Sequence, residues 1–256
     1  MTGQKTELTE HTTGHTEFAS LADGARRLGL ALDDEQLALY AGYRDELLDW
    51  NTRINLTAIT DPALVLTRHV LDALTVVLTL SPEDRARPLR VIDVGAGAGL
   101  PGLALKIALP HWRVTELDSV GKKTRFVAHA VETLRLDGVT VLTARAEDAA
   151  RQDGQREAYD LCLARAVAPL RVLAEYTLPF CRVGGLMVAM KKGRITDEVA
   201  AARRAVGQVG GAIERLVPVP PLADLGDDRV LVPCRKVRPT RPDLPRQAGA
   251  PSRHPL

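Results

Sequence analysis

Asp93-Val94-Gly95-Ala96-Gly97-Ala98-Gly99 sets a carboxylate two residues ahead of three alternating glycines. The stretch follows a short apolar run, Leu89 to Ile92, and leads into a helical pattern, Leu103 to Ala108. Alternate glycines let a backbone turn sharply after a strand and approach a ligand that no Cβ would tolerate, and the following helix offers free N–H groups. That is the chemistry of a site for a nucleotide-type cofactor. Gly97 to Gly102 also satisfies Gly-x-Gly-x-x-Gly, a pattern that dinucleotide sites share. Asp118 ends the next apolar run, Trp112 to Leu117, at the roughly 20-residue spacing where an acid meets ribose hydroxyls. Glu116, two residues earlier on the same strand face, offers the same chemistry, and the strand end favours Asp118.

A second set of residues is basic. Arg145, Arg165, Lys191, Lys192 and Arg194 follow successive strand patterns, and Lys122, Lys123 and Arg125 open a helix beside them. Ligands of open α/β sheets bind beyond the carboxyl ends of the strands, so these cations are expected to converge on one mouth. Groups that cannot accept a proton near neutral pH suit an anionic backbone rather than proton abstraction. Cys162, Cys181 and Cys234 lack Cys-x-x-Cys spacing and the six histidines are scattered, so neither a disulfide framework nor a metal site is expected. A net charge of +2 is too mild to announce nucleic acid by itself.

These residues need a scaffold, and 256 residues can bury one substantial core. Strand patterns at 89–94, 112–117, 139–143, 159–164, 185–190, 213–219 and 229–234 alternate with helical patterns near 100–108, 120–136, 168–180 and 196–209. This alternation predicts a parallel sheet covered on both faces. Val217-Pro218-Val219-Pro220-Pro221 and the turn-rich 222–228 predict a hairpin, so the last of seven strands should run antiparallel. Pro233 is expected to end that strand early. Upstream, Asp33 and Gln36 have capping-box spacing ahead of an apolar stripe through Tyr40 and Leu47, and Asp61-Pro62 opens a second helix running to about Leu80. The expected organisation is a disordered tail at 1–17, an N-terminal helical extension at 18–85, an α/β domain at 86–237 and a disordered Pro/Arg-rich tail at 238–256. No uninterrupted apolar run approaches about 20 residues and MTGQKTELTE has no signal-peptide core, which predicts a cytoplasmic protein without membrane contact.

Asp-x-Gly-x-Gly-x-Gly in such a layout resembles the class I methyltransferases, whose Rossmann-like sheet binds S-adenosylmethionine (SAM) with the acid near its methionine end. Members that act on exocyclic amines carry Asn/Asp-Pro-Pro-Tyr after the fourth strand, where this chain has Ala164-Arg165-Ala166-Val167. Cytosine C5 enzymes need a Pro-Cys nucleophile there, and the only Pro-Cys, Pro233-Cys234, falls in the last strand. Neither chemistry fits.

Asn55-Leu56-Thr57, Arg68-His69-Val70-Leu71-Asp72, Ile92 to Gly102, Leu117-Asp118-Ser119-Val120-Gly121-Lys122-Lys123 and Arg165-Ala166 together resemble the RsmG family, also called glucose-inhibited division protein B, over roughly 35 to 236. The family methylates N7 of a guanine in the 530 loop of 16S ribosomal RNA. The resemblance implies SAM contact at Gly95, Leu100, Ala146, Glu147 and Arg165, beside Asp93, Gly97, Gly99 and Asp118 of the loop and strand ends. It also implies basic residues at Arg145, Arg165, Lys192 and Arg229 that serve RNA binding or catalysis, with Arg165 and Lys192 closest to the chemistry. The expected partner is 16S rRNA in the small ribosomal subunit or its precursor, and the expected state is a monomer without metal. Lys191-Lys192 stands where the family usually has one lysine before glycine, leaving the acting lysine open. His69 and Asp72 read as capping or packing residues. Guanine N7 carries a lone pair and no proton, so its methylation needs positioning more than acid–base help. At 4% aromatic residues, arginine planes are expected to stack on the base, with Trp50 and Tyr159 as further candidates. Two other readings share the cofactor: a methyltransferase of an anionic small molecule, and a non-catalytic SAM-binding module in ribosome assembly.

Overall fold

A computed structural model describes residues 18–226 and 228–256; the tail expected at 1–17 lies outside them. Helix α1 covers 18–27. Helix α2, Asp34–Asn51, starts at the expected capping box: Gln36 N donates to Asp33 Oδ1 at 2.8 Å while Asp33 N donates to Gln36 Oε1 at 3.0 Å. Asp61 caps the next helical run, which passes through α3 (Pro62–Val65), a π turn (Leu66–Leu71), α4 (Asp72–Leu74) and a 3₁₀ turn (Thr75–Thr79). By length and composition this run could cross a membrane. Val65, Leu66, Val70, Leu71, Ala73 and Leu74 are instead buried against the rest of the protein, as in a core helix. Helix α5, Pro82–Ala86, leads into the sheet.

Strands β1 (Arg90–Val94), β2 (Arg113–Asp118), β3 (Val139–Thr143), β4 (Tyr159–Arg165) and β5 (Cys181–Lys192) alternate with α6 (Gly102–Ala108), α7 (Gly121–Thr133), α8 (Ala146–Ala149) and α9 (Leu170–Thr177). Helix α10 (Thr196–Gln208), β6 (Gly211–Ile213), β7 (Val217–Pro218), β8 (Arg229–Lys236) and α11 (Ala250–Arg253) follow. The order is β3-β2-β1-β4-β5-β8-β6, with β7 also on β8. The first five strands are parallel and β8 is antiparallel to β5. Successive residues feed opposite cores: Leu161 and Leu163 face α2, the 62–79 run, α6 and α7, whereas Cys162 and Ala164 face α9 and α10. Both faces being covered explains the nearly continuous apolar runs of the central strands.

Three expectations are corrected. The strand expected at 213–219 is two short strands, β6 and β7, so the sheet has eight strands rather than seven. Pro233 does not end β8. Its carbonyl accepts from Glu214 N at 2.9 Å, so its missing N–H falls on the side of the short partners β6 and β7, while the ladder to β5 continues through Val188 opposite Pro233. Residues 238–256 are not a loose tail: Leu244 is buried, and Arg246 pairs with the buried Glu175. The composition misled because these prolines and arginines find partners in the α/β domain, which a composition count does not see.

Candidate active site

The loop after β1 is held from below and from the side. Asp93, itself buried, accepts from Gly102 N through Oδ2 at 2.9 Å, and Gly95 N and Ala96 N donate to Leu117 O at 2.8 and 3.0 Å. Tyr43 of α2 donates its hydroxyl to Ala98 O at 2.8 Å, and Tyr40 does the same to Ala104 O at 2.7 Å. The N-terminal helices thus pin both the glycine loop and α6. Gly95 and Gly97 have φ of +77° and +62°, values that L side chains rarely adopt. A Cβ at Gly97 would meet nothing nearer than Gly95 O at 3.9 Å, so the loop leaves open space there. Gly99 serves packing instead, because a Cβ there would strike Leu103 at 2.7 Å.

Two compartments lie at the strand ends. The smaller, about 280 Å³, is lined by Asp118, Ser119, Val120, Arg145, Ala146, Glu147 and Tyr176. Asp118 accepts from Gly97 N at 3.0 Å and from Val120 N at 2.8 Å, which fixes the carboxylate and leaves acceptor capacity for hydroxyls. Glu116, by contrast, is buried under the loop, and a Cβ on Gly102 would lie 2.1 Å from its Oε1. Of the two acids, only Asp118 lines a compartment. A glycine cradle with open space, a fixed carboxylate at the end of β2 and a cleft beside Ala146 fit a nucleoside-bearing cofactor such as SAM.

The larger compartment, about 650 Å³, is lined by the glycine loop and Leu100 on one side and by Leu56, Thr57, Ile59, Arg68, His69 and Asp72 of the N-terminal region on the other. Arg165, Met190, Lys191, Lys192 and Arg229 complete it, and Gly95, Lys123 and Ala166 line both compartments. Ala166 has φ +55°, a left-handed conformation that costs a non-glycine residue about 1 kcal/mol, and it turns the chain just after Arg165.

Asp72 organises this space. Its Oδ2 pairs with Arg165 Nη1 at 3.2 Å and its Oδ1 with Arg229 Nε at 2.5 Å. Arg165 also donates to His69 O at 3.2 Å, and Arg229 to Leu225 O. The π turn belongs here: it closes just before Asp72 and carries Arg68 and His69 into the wall, at a place where such turns often mark functional sites. His69 Nε2 meets Thr57 Oγ1 at 2.6 Å, while Asn51 holds the 56–57 loop by accepting from Leu56 N and Thr57 N. Burial, reinforced by Arg165, pushes the His69 pKa down to about 4, so its ring is neutral near pH 7.

The site residues expected from sequence divide as follows. Gly95, Gly97, Leu100, Arg165, Lys192 and Arg229 meet at the larger compartment, and Asp118, Ala146 and Glu147 at the smaller. Arg145 lines the smaller compartment, apart from the other expected RNA contacts, and Asp93 and Gly99 line neither. Lys191 is tied to Ala168 O at 2.8 Å and Glu198 at 2.7 Å, whereas Lys192 is 70% exposed with Asp228 at 3.7 Å. His69 and Asp72, read as capping or packing residues, both line the larger compartment, with Asp72 buried at the end of the π turn and His69 bonded to Thr57. Trp50 packs edge-on against Phe126 and Tyr159 is buried with its hydroxyl on Thr115 and Gln155, so neither aromatic reaches the compartments. Asp72 was the residue whose importance the sequence hid, although a carboxylate in an apolar helix does signal a need for partners.

The strand order with its antiparallel β8, the glycine cradle after β1 and the acid ending β2 define a class I SAM-dependent methyltransferase. A solved mutant of the 16S rRNA (adenine(1408)-N(1))-methyltransferase from Catenulisporales acidiphilia shares the fold at TM-score 0.50 and 14% identity, over 63% of this chain and 94% of that one. The GidB family, described as rRNA small subunit methyltransferase G, matches residues 36–219, and this chain belongs to it. Its relatives include the Ribosomal RNA small subunit methyltransferase G of Roseiflexus sp. (strain RS-1), 48% identical over 237 residues, 92% of this chain and 98% of the relative. The protein of that name from Chloroflexus aggregans is 43% identical over 244 residues, 95% of this chain and all of the relative.

Proposed function

We propose that this protein transfers the SAM methyl group to N7 of one guanine in the 530 loop of 16S rRNA, within the small subunit or its precursor. It acts as a monomer in the cytoplasm. The observation that carries this reading is the meeting of the two compartments at Gly95, Lys123 and Ala166, beside a basic wall in which Asp72 is committed to two arginines and His69 is a weakened base. When bound, SAM supplies an electrophilic methyl on a cationic sulfur. Asp118 receives the ribose hydroxyls, Gly95 and Gly97 admit the methionine half, and Ala146 and Glu147 border the adenosine. Arg165, clamped by Asp72 and the His69 carbonyl, presents a guanidinium plane to the base, where it stacks or donates hydrogen bonds. Lys192, with an exposed amine only loosely paired with Asp228, holds a phosphate, and Arg68 and Lys123 extend the basic rim. No residue takes a proton, since N7 has none to lose.

The test uses small subunits from cells lacking this chain, incubated with methyl-labelled SAM and purified protein. Mass mapping of the digested 16S rRNA should place one methyl on one guanine of the 530 loop. Label in another nucleotide, label only in a small anionic acceptor, or SAM binding without transfer would each overturn the assignment.

A further inference from the structure

After β8 the chain runs past Arg156 and Glu157, along α9, to Glu147, which lines the smaller compartment. Thr240 N donates to Glu157 Oε1 at 2.6 Å, and the Arg156 guanidinium donates to the carbonyls of Leu244 at 2.9 Å and of Thr240 and Arg241 at 3.0 Å. Arg246 then grips Glu175, which is only 1% exposed, through its backbone N at 2.7 Å and its guanidinium at 2.6–3.2 Å. Three residues on, Gly249 N donates to Glu147 Oε1 at 2.8 Å. The arm residues themselves, from Thr240 to Gly249, lie beyond the 36–219 span that defines the family match, whereas their partners lie within it.

We propose that the arm formed by residues 238–256 is a positioning element for the cofactor, acting through Glu147 and Glu175. Glu147 lies on α8 and Glu175 on α9 beside Tyr176, and Glu147 and Tyr176 both line the smaller compartment. Helix α8 has four residues and no side-chain cap, far below the length at which a helix holds itself in water. Its placement therefore has to come from its neighbours. It packs on α9, and the arm binds both: one N–H fixes the α8 carboxylate, and one guanidinium neutralises the buried α9 carboxylate. An ordered arm holds the compartment wall in its binding geometry before the cofactor arrives, which removes an ordering cost from binding. The coupling is reciprocal: if the arm raises SAM affinity, SAM must order the arm by the same factor. Arg246 and Gly249 touch no reacting atom, so their effect belongs to SAM affinity and not to turnover. The inference rests on the smaller compartment being the SAM site.

Full-length Arg246→Ala and Arg246→Lys variants are compared with the wild type for SAM Kd by calorimetry, for kcat at saturating SAM and for KM of the subunit. Arg246→Ala should raise the SAM Kd about fivefold to tenfold, with kcat and subunit KM within about twofold, and Arg246→Lys should recover most of the loss because it retains the charge on Glu175. An unchanged Kd with a lower melting temperature would make the arm a mere brace and overturn the proposal. In the unmutated protein, saturating SAM should slow amide hydrogen exchange at Gly249 and along 244–250 several-fold; an unaltered rate there also overturns it. Asp118→Ala separates the two readings: if it leaves SAM affinity intact, the compartment assignment itself fails, whatever Arg246 does.

Discussion

The two compartments share three residues and differ in almost everything else. The smaller one is lined wholly by the sheet domain, where Lys123 and Arg145 stand beside two carboxylates: Asp118, held by Gly97 N of the glycine loop, and Glu147, held by Gly249 N of the arm. The larger one is half made by the N-terminal region, and two of its cations, Arg165 from β4 and Arg229 from β8, are aimed by one carboxylate, Asp72. A neutral or cationic small ligand suits the first, and a polyanion suits the second. The difference teaches where each kind of precision comes from: a loop geometry encoded in adjacent residues on one side, and an ion-pair hub joining three distant segments on the other.

The largest expected effect breaks the smaller side. Gly97→Asp introduces a residue type that tolerates positive φ better than most, and its Cβ would meet nothing nearer than Gly95 O at 3.9 Å, so the fold should survive. Its carboxylate, set in the space kept for the cofactor, should weaken SAM binding more than about 100-fold, as expected for an unpaired buried charge, while subunit binding persists. Calorimetry showing unchanged SAM affinity would remove the cofactor site from this loop. Next comes Asp72→Ala, which frees two partly buried guanidinium groups at once. Single-turnover methyl transfer should fall by about 100-fold, with SAM affinity changed by less than about threefold. Equal losses in SAM affinity and transfer would mean that the two compartments are not separable.

The sheet domain was far more legible than the wall facing it. Strand–helix alternation, the glycine spacing and Asp118 follow from contiguous residues, and each falls within a few positions of where the pattern puts it. Asp72 was not legible as a hub, because its partners lie 93 and 157 positions away and its own surroundings read as an apolar helix. Residues 238–256 were misread for the same reason: proline and arginine content signals disorder only when no partner is waiting, and Glu157, Glu175 and Glu147 are waiting elsewhere in the chain. Trp50 and Tyr159 show the converse, since residue type suggested base stacking and packing used them in the core.

A smaller effect sharpens the larger compartment. Lys192 is exposed and only loosely paired, whereas Lys191 is tied to Ala168 and Glu198. Lys192→Ala should weaken subunit binding roughly fivefold and lower the slope of log K against log salt by about 1, leaving SAM affinity and the melting temperature near wild type. Lys191→Ala should instead lower stability, by freeing Glu198 and the turn before α9. If Lys191→Ala alters the salt slope and Lys192→Ala does not, the acting lysine is Lys191.

The smallest effect concerns protons. A general base in the larger compartment would make single-turnover transfer rise about tenfold per pH unit somewhere between 6 and 8. His69, held down to about 4, has finished titrating before that range, so the rate should change by less than about threefold across it. A group that does titrate near neutrality is Asp93, whose burial raises its pKa to about 7 against the opposing hydrogen bond from Gly102 N, with Arg165 lowering it and Asp118 raising it, beside Glu116, which burial and Asp93 also push up. Asp93 lines neither compartment, so its proton should register in stability rather than in chemistry. The sign follows from proton counting. Between about 4 and 7 the folded state keeps a proton that the unfolded state has lost, so this residue's contribution is full below about pH 4, declines as pH rises and is gone above about 7. Asp93→Asn keeps an acceptor for Gly102 N and cannot ionise, so the difference in melting temperature between the variant and the wild type should shift in the variant's favour as pH goes from 4 to 8. A steep rise of the wild-type rate through pH 7 that vanishes in Asp93→Asn would instead place a working base beneath the glycine loop and undo the base-free reading of the site.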